Sequence, residues 1–283
     1  MRILITGAAG MLGHDVRTAA QAAGHEPILL ARAELDVTEA DAVREAILAA
    51  RPDAVINCAA WTDVDRAEGE EAAARAVNGT GAGNVAAAAH ASGAFIVHVS
   101  TDYVFAGDKR APYLESDAVA PAGAYGRTKL AGERAVAQAA PDRHTVVRTA
   151  WLFGAAGRCF PETILRVARE RGELSVVDDQ VGSPTYTGHL APALVALASG
   201  ALPGLVHVAA DGECSWYEFA VAIVNTAGVA CEVAPCRTTE FPRPAPRPAY
   251  SVLRSERGDA VPRLPHWRDG LAAYLTTTKE ASA

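Results

Sequence analysis

The stretch "RILITGAAGMLG" (residues 2–13) decides how the rest of the chain reads. "RILIT" is a short run with an apolar centre, as expected of a strand buried on both faces. Gly7, Gly10 and Gly13 follow at G-x-x-G-x-x-G spacing, and "MLGHDVRTAAQAAG" (11–24) has the periodicity of a helix that closes on Gly24. In such a strand–loop–helix unit the first glycine permits a tight turn. The second lets backbone approach a diphosphate, and the third lets helix pack against strand. Unpaired N–H groups and the helix dipole favour an anion at the helix start. An ordinary turn with incidental glycines is the competing reading, but the strand before and the helix after are the context a dinucleotide site requires.

Outward from this unit the first half alternates. "EPILL" (26–30) reads as a strand and "TEADAVREAILAAR" (38–51) as a helix, with Thr38 and Asp41 in capping spacing. "DAVINCA" (53–59), an Ala-rich helix from about residue 70 to 91, and "AFIVHVST" (94–101) come next. A helix holding Tyr125 and the strand "HTVVRTAWLFG" (144–154) complete the series. Apolar strands separated by helices imply an α/β chain: a Rossmann-like, doubly wound parallel sheet. Residues 1–154 are the expected dinucleotide-binding domain, with some later segments returning to it. Residues 155–283 are expected to form mainly a smaller C-terminal substrate lobe. There "FPETILRVARERGE", "GHLAPALVALASG" and "SWYEFAVAIVNTAG" read as helices, the last opened by Ser215 and Glu218 in capping-box spacing, and "GLVHVAA" reads as a strand. "FPRPAPRPAYSVL" (241–253) holds four prolines, which excludes a regular element, and "TTTKEASA" reads as a short polar end.

Composition narrows the partners. The net charge of −7, with no basic run, argues against nucleic acid. The five cysteines are scattered and form no C-x-x-C pair, as in a reduced, cytoplasmic protein. No leader is visible, and the most apolar stretch, "GNVAAAAHASGAFIVHV" (83–99), is broken by polar residues and glycine, so no membrane span is expected. No ligand spacing supports a metal.

The chemistry lies in "VSTDYVF" (99–105) and "AYGRTKLAGE" (124–133). In an open parallel sheet, ligands sit beyond the carboxyl ends of the strands. The fourth strand delivers Thr101 and Asp102 there. The next helix sets Tyr125 and Lys129 one turn apart on one face. A hydride delivered to a ketone leaves a negative oxygen that needs a proton. Tyr125 can donate it, with Lys129 lowering its pKa and holding the cofactor ribose, and Thr101 orienting the carbonyl. An idle surface pair is the alternative, weakened by the glycine loop in the same chain. Arg32, about 19 residues after Gly13, stands where a 2′-phosphate would lie, which favours NADPH with NADH as the alternative. Asp36 and Val37 fall at the expected adenine edge.

With these motifs in place the chain resembles the extended short-chain dehydrogenase/reductase superfamily and, within it, the dTDP-4-dehydrorhamnose reductase family. "TGAAGMLG", "RAELDVTE", "WTDVDRAE", "VSTDYVFAG", "YGRTKLAGE", "RTAWLFG", "DDQVGSPTYT", "HVAADGECSWYEFA" and "RPAYSVL" carry the resemblance in family order. It implies an oxidoreductase that reduces the C4 ketone of a dTDP-4-keto-6-deoxyhexose to give dTDP-L-rhamnose. It implies Thr101, Tyr125 and Lys129 as the catalytic set, with Gly10, Met11 and Leu12 over the pyrophosphate. Asp36 and Val37 would meet the adenine, and Ala59, Ala60 and Thr62 the nicotinamide side. Asp102, Trp151, Ser183 (in "VGSPT") and Arg247 would shape the sugar-nucleotide side. Arg254 departs from the Asp the family often has after "SVL". The resemblance also admits related antibiotic-sugar 4-ketoreductases of the dihydrostreptose type, a sugar-nucleotide epimerase, and a non-catalytic regulator of methionine adenosyltransferase type. A homodimer is an option, and Mg2+ occurs in some relatives.

Overall fold

The opening strand lies inside the sheet, between two neighbours. The structure, a computed structural model, describes residues 1–280. Its first half runs β1 (Arg2–Thr6), α1 (Met11–Ala22), β2 (Glu26–Leu30), α2 (Ala40–Ala50), β3 (Ala54–Asn57), α3 (Val64–Gly69), α4 (Glu71–Arg75), α5 (Ala82–Ser92), β4 (Phe95–Thr101), α6 (Ala124–Ala139) and β5 (His144–Thr149). The second half runs β6 (Leu152–Phe153), α7 (Phe160–Arg171), β7 (Glu173–Val177), β8 (Val181–Gly182), β9 (Thr185–Tyr186), α8 (Thr187–Gly200), β10 (Gly204–His207), β11 (Cys214–Ser215), α9 (Trp216–Ala227), β12 (Glu232–Cys236) and α10 (Trp267–Glu280).

Six parallel strands stand in the order β2-β1-β3-β4-β5-β10. The chain reverses direction across the sheet between β1 and β3, the switch point where doubly wound folds bind ligands. Alternation along each strand feeds two cores. Ile3, Ile5, Ile56 and Val97 pack with Val16 of α1 and Leu190 and Leu194 of α8. Leu4, Val55, Ile96 and Val146 pack on the other face with Val43 of α2, Val85 of α5 and Val136 of α6. A third core, with Phe153, Ile164, Phe219, Ile223, Trp267 and Leu271, belongs to α7, α9, α10 and their short strands. The sheet therefore recruits β10, and its cover α8, from beyond residue 154.

Several local expectations give way. The Thr38–Asp41 cap does not form: Glu39 is the N-cap of α2 and makes no side-chain bond. Thr38 instead donates its N–H and hydroxyl to Asp36 Oδ1, at 3.0 and 2.8 Å. The Ala-rich helix is interrupted by a π turn over Ala76–Gly81. At that turn Asn78 turns inward to bond Trp61 (2.8 and 3.1 Å) and Thr128 Oγ1 (3.0 Å). The strand expected to run through 144–154 stops at Thr149, because Trp151 adopts a left-handed φ of 47°. β7 and β12, which pair in parallel, carry no clear signal in the sequence. Of the expected polar end, residues 276–280 continue α10, and residues 281–283 lie outside the described residues. The Ser215–Glu218 capping box forms as expected.

Candidate active site

The glycine loop is shaped by close approach. Gly7 sits at φ 64°, and a Cβ there would lie 2.8 Å from the Ala59 nitrogen. A Cβ on Gly13 would lie 2.4 Å from the Gly7 carbonyl oxygen, so only glycine lets α1 start this close to β1. Gly10 is the N-cap of α1; it offers no capping side chain, and the first turn holds no acid. The helix N–H groups are left for an external anion, and this cradle fits a dinucleotide diphosphate. Met11 faces Gly154 and Gly157, whereas Leu12 is buried beneath the sheet core. Ala59, Ala60 and Thr62 run out of β3 beside Gly7, with Ala59 N–H donating to Asn57 Oδ1 at 3.2 Å. Asn57 also accepts from Thr6 (2.6 Å) and contacts His98 Nδ1 (3.0 Å), which ties three neighbouring strands together at the switch point.

Past β2, Arg32 is exposed. The Asp36 carboxyl is held below its usual range by the Thr38 N–H and hydroxyl, with a smaller contribution from Arg32. Val37 is buried against the π turn: a Cβ on Gly81 would lie 2.7 Å from it.

β4 and α6 bring the chemical groups together. Thr101 Oγ1 donates to Asp102 Oδ1 (2.9 Å) and accepts from the Tyr103 N–H (3.2 Å). Burial pushes the Asp102 carboxyl up to about 6. The Tyr125 ring meets Tyr103 edge-on at 5.6 Å. Its phenol is pushed up to about 12, by burial first and then by Asp102, while the Thr101 hydroxyl pulls the other way. Lys129 is buried and donates to the Val99 carbonyl at 2.7 Å. Burial lowers it to about 8, against the raising influence of Glu133 and Cys58. In the structure the groups acting on the Tyr125 phenol are Asp102 and Thr101, while Lys129 places one donor on the Val99 carbonyl.

On the lobe side Trp151 stacks flat on Trp216, with centroids 3.5 Å apart and planes 3° apart. Its indole edge lies against Gly182, where a Cβ would sit 2.4 Å away. Ser183 is buried and spends its hydroxyl on the Gly212 carbonyl (2.8 Å). Arg247 forms a two-pronged pair with Asp65 of α3, at 2.9 and 3.0 Å, and Arg243 approaches the same carboxylate at 3.5 Å. Arg243, Arg247, Trp216, Phe160 and Gln180 line a cavity of about 500 Å3. Trp216, Arg243 and Asp65 were not singled out from the sequence. Asp65 lies in "WTDVDRAE" and Trp216 in "SWYEFA", but nothing in either motif announces its partner, Arg247 or Trp151. Among the described residues no group of three or more His, Cys, Asp or Glu side chains could hold a metal ion, and no helix is long and apolar enough to cross a membrane.

Comparison with known proteins agrees with this geometry. The family described as "RmlD substrate binding domain" matches residues 1–280. A protein of Mycolicibacterium smegmatis named dTDP-4-dehydrorhamnose reductase is 47% identical over 276 residues, covering 95% of this chain and 84% of the relative. A dTDP-4-keto-6-deoxy-D-glucose reductase of Streptomyces niveus is 40% identical, covering 95% of each. The crystal structure of dTDP-4-dehydrorhamnose reductase from Bacillus anthracis in complex with NADP superimposes with a TM-score of 0.95 at 39% identity, covering 98% of this chain and 99% of that one. With its glycine cradle, its Thr–Tyr–Lys cluster and relatives of this identity over nearly its whole length, the chain belongs to the RmlD substrate binding domain family, the dTDP-4-dehydrorhamnose reductases.

Proposed function

We propose that the protein reduces the C4 ketone of dTDP-4-dehydro-6-deoxy-L-mannose to dTDP-L-rhamnose with NADPH, using Thr101, Tyr125 and Lys129. One observation carries the assignment of residues: a hydroxyl, a protonated phenol and a buried ammonium gather at the carboxyl end of β4, at the ligand-binding edge of the sheet that also carries the glycine loop.

NADPH, when bound, supplies the hydride that turns the ketone into an alcohol. The chain's own groups handle the oxygen. Thr101 orients the carbonyl from the end of β4. Tyr125 gives up its proton as negative charge grows there; an alkoxide is a stronger base than a phenolate, so a phenol near 12 is a competent donor. Burial keeps that phenol protonated at any ordinary pH, so it is ready for reduction without acidification. Lys129 uses one donor on Val99 and has others left for the cofactor ribose. Gly10, Met11 and Leu12 cover the diphosphate, Asp36 and Val37 border the adenine, and Arg32 meets the 2′-phosphate. Ala59, Ala60 and Thr62 line the nicotinamide side. Asp102, Trp151 and Arg247 border the sugar nucleotide, and Arg247 also lines the cavity beside Trp216.

The Streptomyces niveus relative favours a second reading, reduction of a dTDP-4-keto-6-deoxy sugar of different ring configuration. A panel of dTDP-4-keto-6-deoxy sugars decides between them, with NADPH consumption followed optically and product configuration read by NMR. Stoichiometric NADPH oxidation with the L-lyxo ketone and formation of dTDP-L-rhamnose supports the proposal. Turnover of other ketones alone selects the second reading, and no turnover of any of them overturns both.

A further inference from the structure

Tyr125, Lys129 and Glu133 recur every fourth residue along α6 and so share one face of it. That face meets three consecutive residues of β4. Tyr125 lies beside Thr101. Lys129 Nζ donates to the Val99 carbonyl at 2.7 Å. Glu133 Oε1 accepts from the Ser100 hydroxyl at 2.5 Å. From β5, where it is the register partner of Ser100, Arg148 closes the arrangement: its Nε and Nη2 donate to the two Glu133 oxygens at 2.9 and 2.7 Å. Ser100, Glu133 and Arg148 are all buried.

A buried ion pair is a poor source of stability, because taking both charges out of water offsets most of their attraction. What this pair does is fix a negative charge one helical turn from Lys129. Several other groups face the ammonium or its immediate surroundings. Cys58 at the end of β3 has its thiol pushed up to about 12 and is neutral. His98 of β4 is held neutral by burial. Tyr125 is protonated, and Asp102 acts on Tyr125. Glu133 is the anion that raises Lys129 against the burial that lowers it, and Arg148 holds both of its oxygens.

We propose that Glu133 is a positioning residue for the reduction: anchored by Arg148 and Ser100, its carboxylate acts one helical turn away on the buried Lys129, keeps it on the Val99 carbonyl, and so holds the β4 segment that carries Thr101. The proposal rests on the role given to Lys129 above.

The test is the pH profile of kcat with NADPH and the dTDP-4-keto sugar saturating, for the full chain. In the wild type, activity falls as Lys129 loses its proton, so the profile has an alkaline limb. Glu133→Gln keeps the shape and the Ser100 bond but removes the charge. Its limb is expected to move to lower pH by about one unit, the scale of an opposite charge at close range. Turnover at pH 8 then falls several-fold while turnover at pH 6 changes little. A uniform loss at every pH with an unmoved limb describes a merely structural residue and overturns the proposal. Should Glu133→Gln give no folded protein, the same reading is made on Glu133→Asp, which keeps the charge but withdraws it by about 1.5 Å. A limb lowered by a few tenths of a unit supports the proposal, and an unmoved limb overturns it. Lys129→Arg separates the two assignments. A limb unchanged in Lys129→Arg refutes the role of Lys129 itself. A limb that Lys129→Arg abolishes and Glu133→Gln leaves in place refutes Glu133 alone.

Discussion

At the scale of single residues, the site combines groups whose environments push them in different directions. Tyr125 is held protonated and Lys129 sits close to losing its proton, while Asp102, rising to about 6, is ionised only above mildly acidic pH. With Tyr125 as the proposed proton donor, Tyr125→Phe is expected to drop kcat by about two to four orders of magnitude with NADPH affinity retained. Near-normal turnover would remove Tyr125 from the acid's role. Asp102 makes a stability prediction. Its folded-state pKa lies above the ordinary 3.8, so burial penalises the carboxylate. The stabilising contribution is therefore fully present below about pH 4 and is lost as pH rises through 6. Asp102→Asn should match the wild type near pH 4 and exceed it at pH 8 by on the order of 2 kcal/mol in urea unfolding. An equal difference at both pH values would show that the charge is not what matters. Arg32 is exposed, and its loss should weaken NADPH about tenfold or more while leaving NADH nearly untouched, as measured by cofactor titration. Equal weakening of both cofactors would take it out of the phosphate site. These residues could be proposed from the sequence because chemistry demands particular side chains at particular spacings. Glu133 and Arg148 were not, because a buried ion pair between a helix and a strand leaves no spacing in the chain.

At the scale of elements, hydrophobic periodicity marked the central strands and most of the helices, and the Ser215–Glu218 box marked one helix start. Elements held by contacts from elsewhere were not marked. At the π turn over Ala76–Gly81, Asn78 bonds Trp61 and Thr128, partners distant in sequence. β7 and β12 are short, half-exposed strands that find each other across more than fifty residues, with no alternation to announce them. The same π turn packs against α6, which carries Tyr125 and Lys129. Gly132 of α6 lies so close to it that a Cβ would sit 2.1 Å from the Asn78 carbonyl oxygen. Two effects oppose each other in Gly132→Ala. Helix propensity gains about 1 kcal/mol, but forcing a methyl group onto a backbone oxygen costs about 1–3 kcal/mol and moves the helix. The clash wins, because backbone cannot swing aside as a flexible side chain can. The variant should be less stable in thermal unfolding and should lose kcat, since Tyr125 and Lys129 ride on the displaced helix. A variant of unchanged stability and full activity would mean that α6 has slack against the turn.

At the scale of the whole molecule, α8 and β10 are the segments from beyond residue 154 that return to the sheet. α8 covers the face of the sheet formed by Ile3, Ile5, Ile56 and Val97, and β10 adds the strand beside β5. Met11, at the start of the dinucleotide helix, packs against Gly154 and into the lobe's core, and Thr187 Oγ1 bonds the Phe153 carbonyl at 3.2 Å. Sequence order left open which segments return, because nothing in "GHLAPALVALASG" says which sheet face it covers. A fragment ending at residue 154 would expose that apolar face along its length and leave β5 as a bare edge, a state prone to aggregate rather than fold. We therefore expect residues 1–154, expressed alone, to be insoluble or molten and to bind no NADPH. The intact chain should unfold in one cooperative step in which signals from the lobe, followed through Trp216 and Trp267 fluorescence, coincide with far-ultraviolet circular dichroism. Saturating NADPH should raise the midpoint of both signals together, since what binds only the native chain stabilises everything that unfolds with it. Two separate transitions, or a soluble 1–154 fragment that binds NADPH, would show instead that the dinucleotide half folds without the elements that cover it.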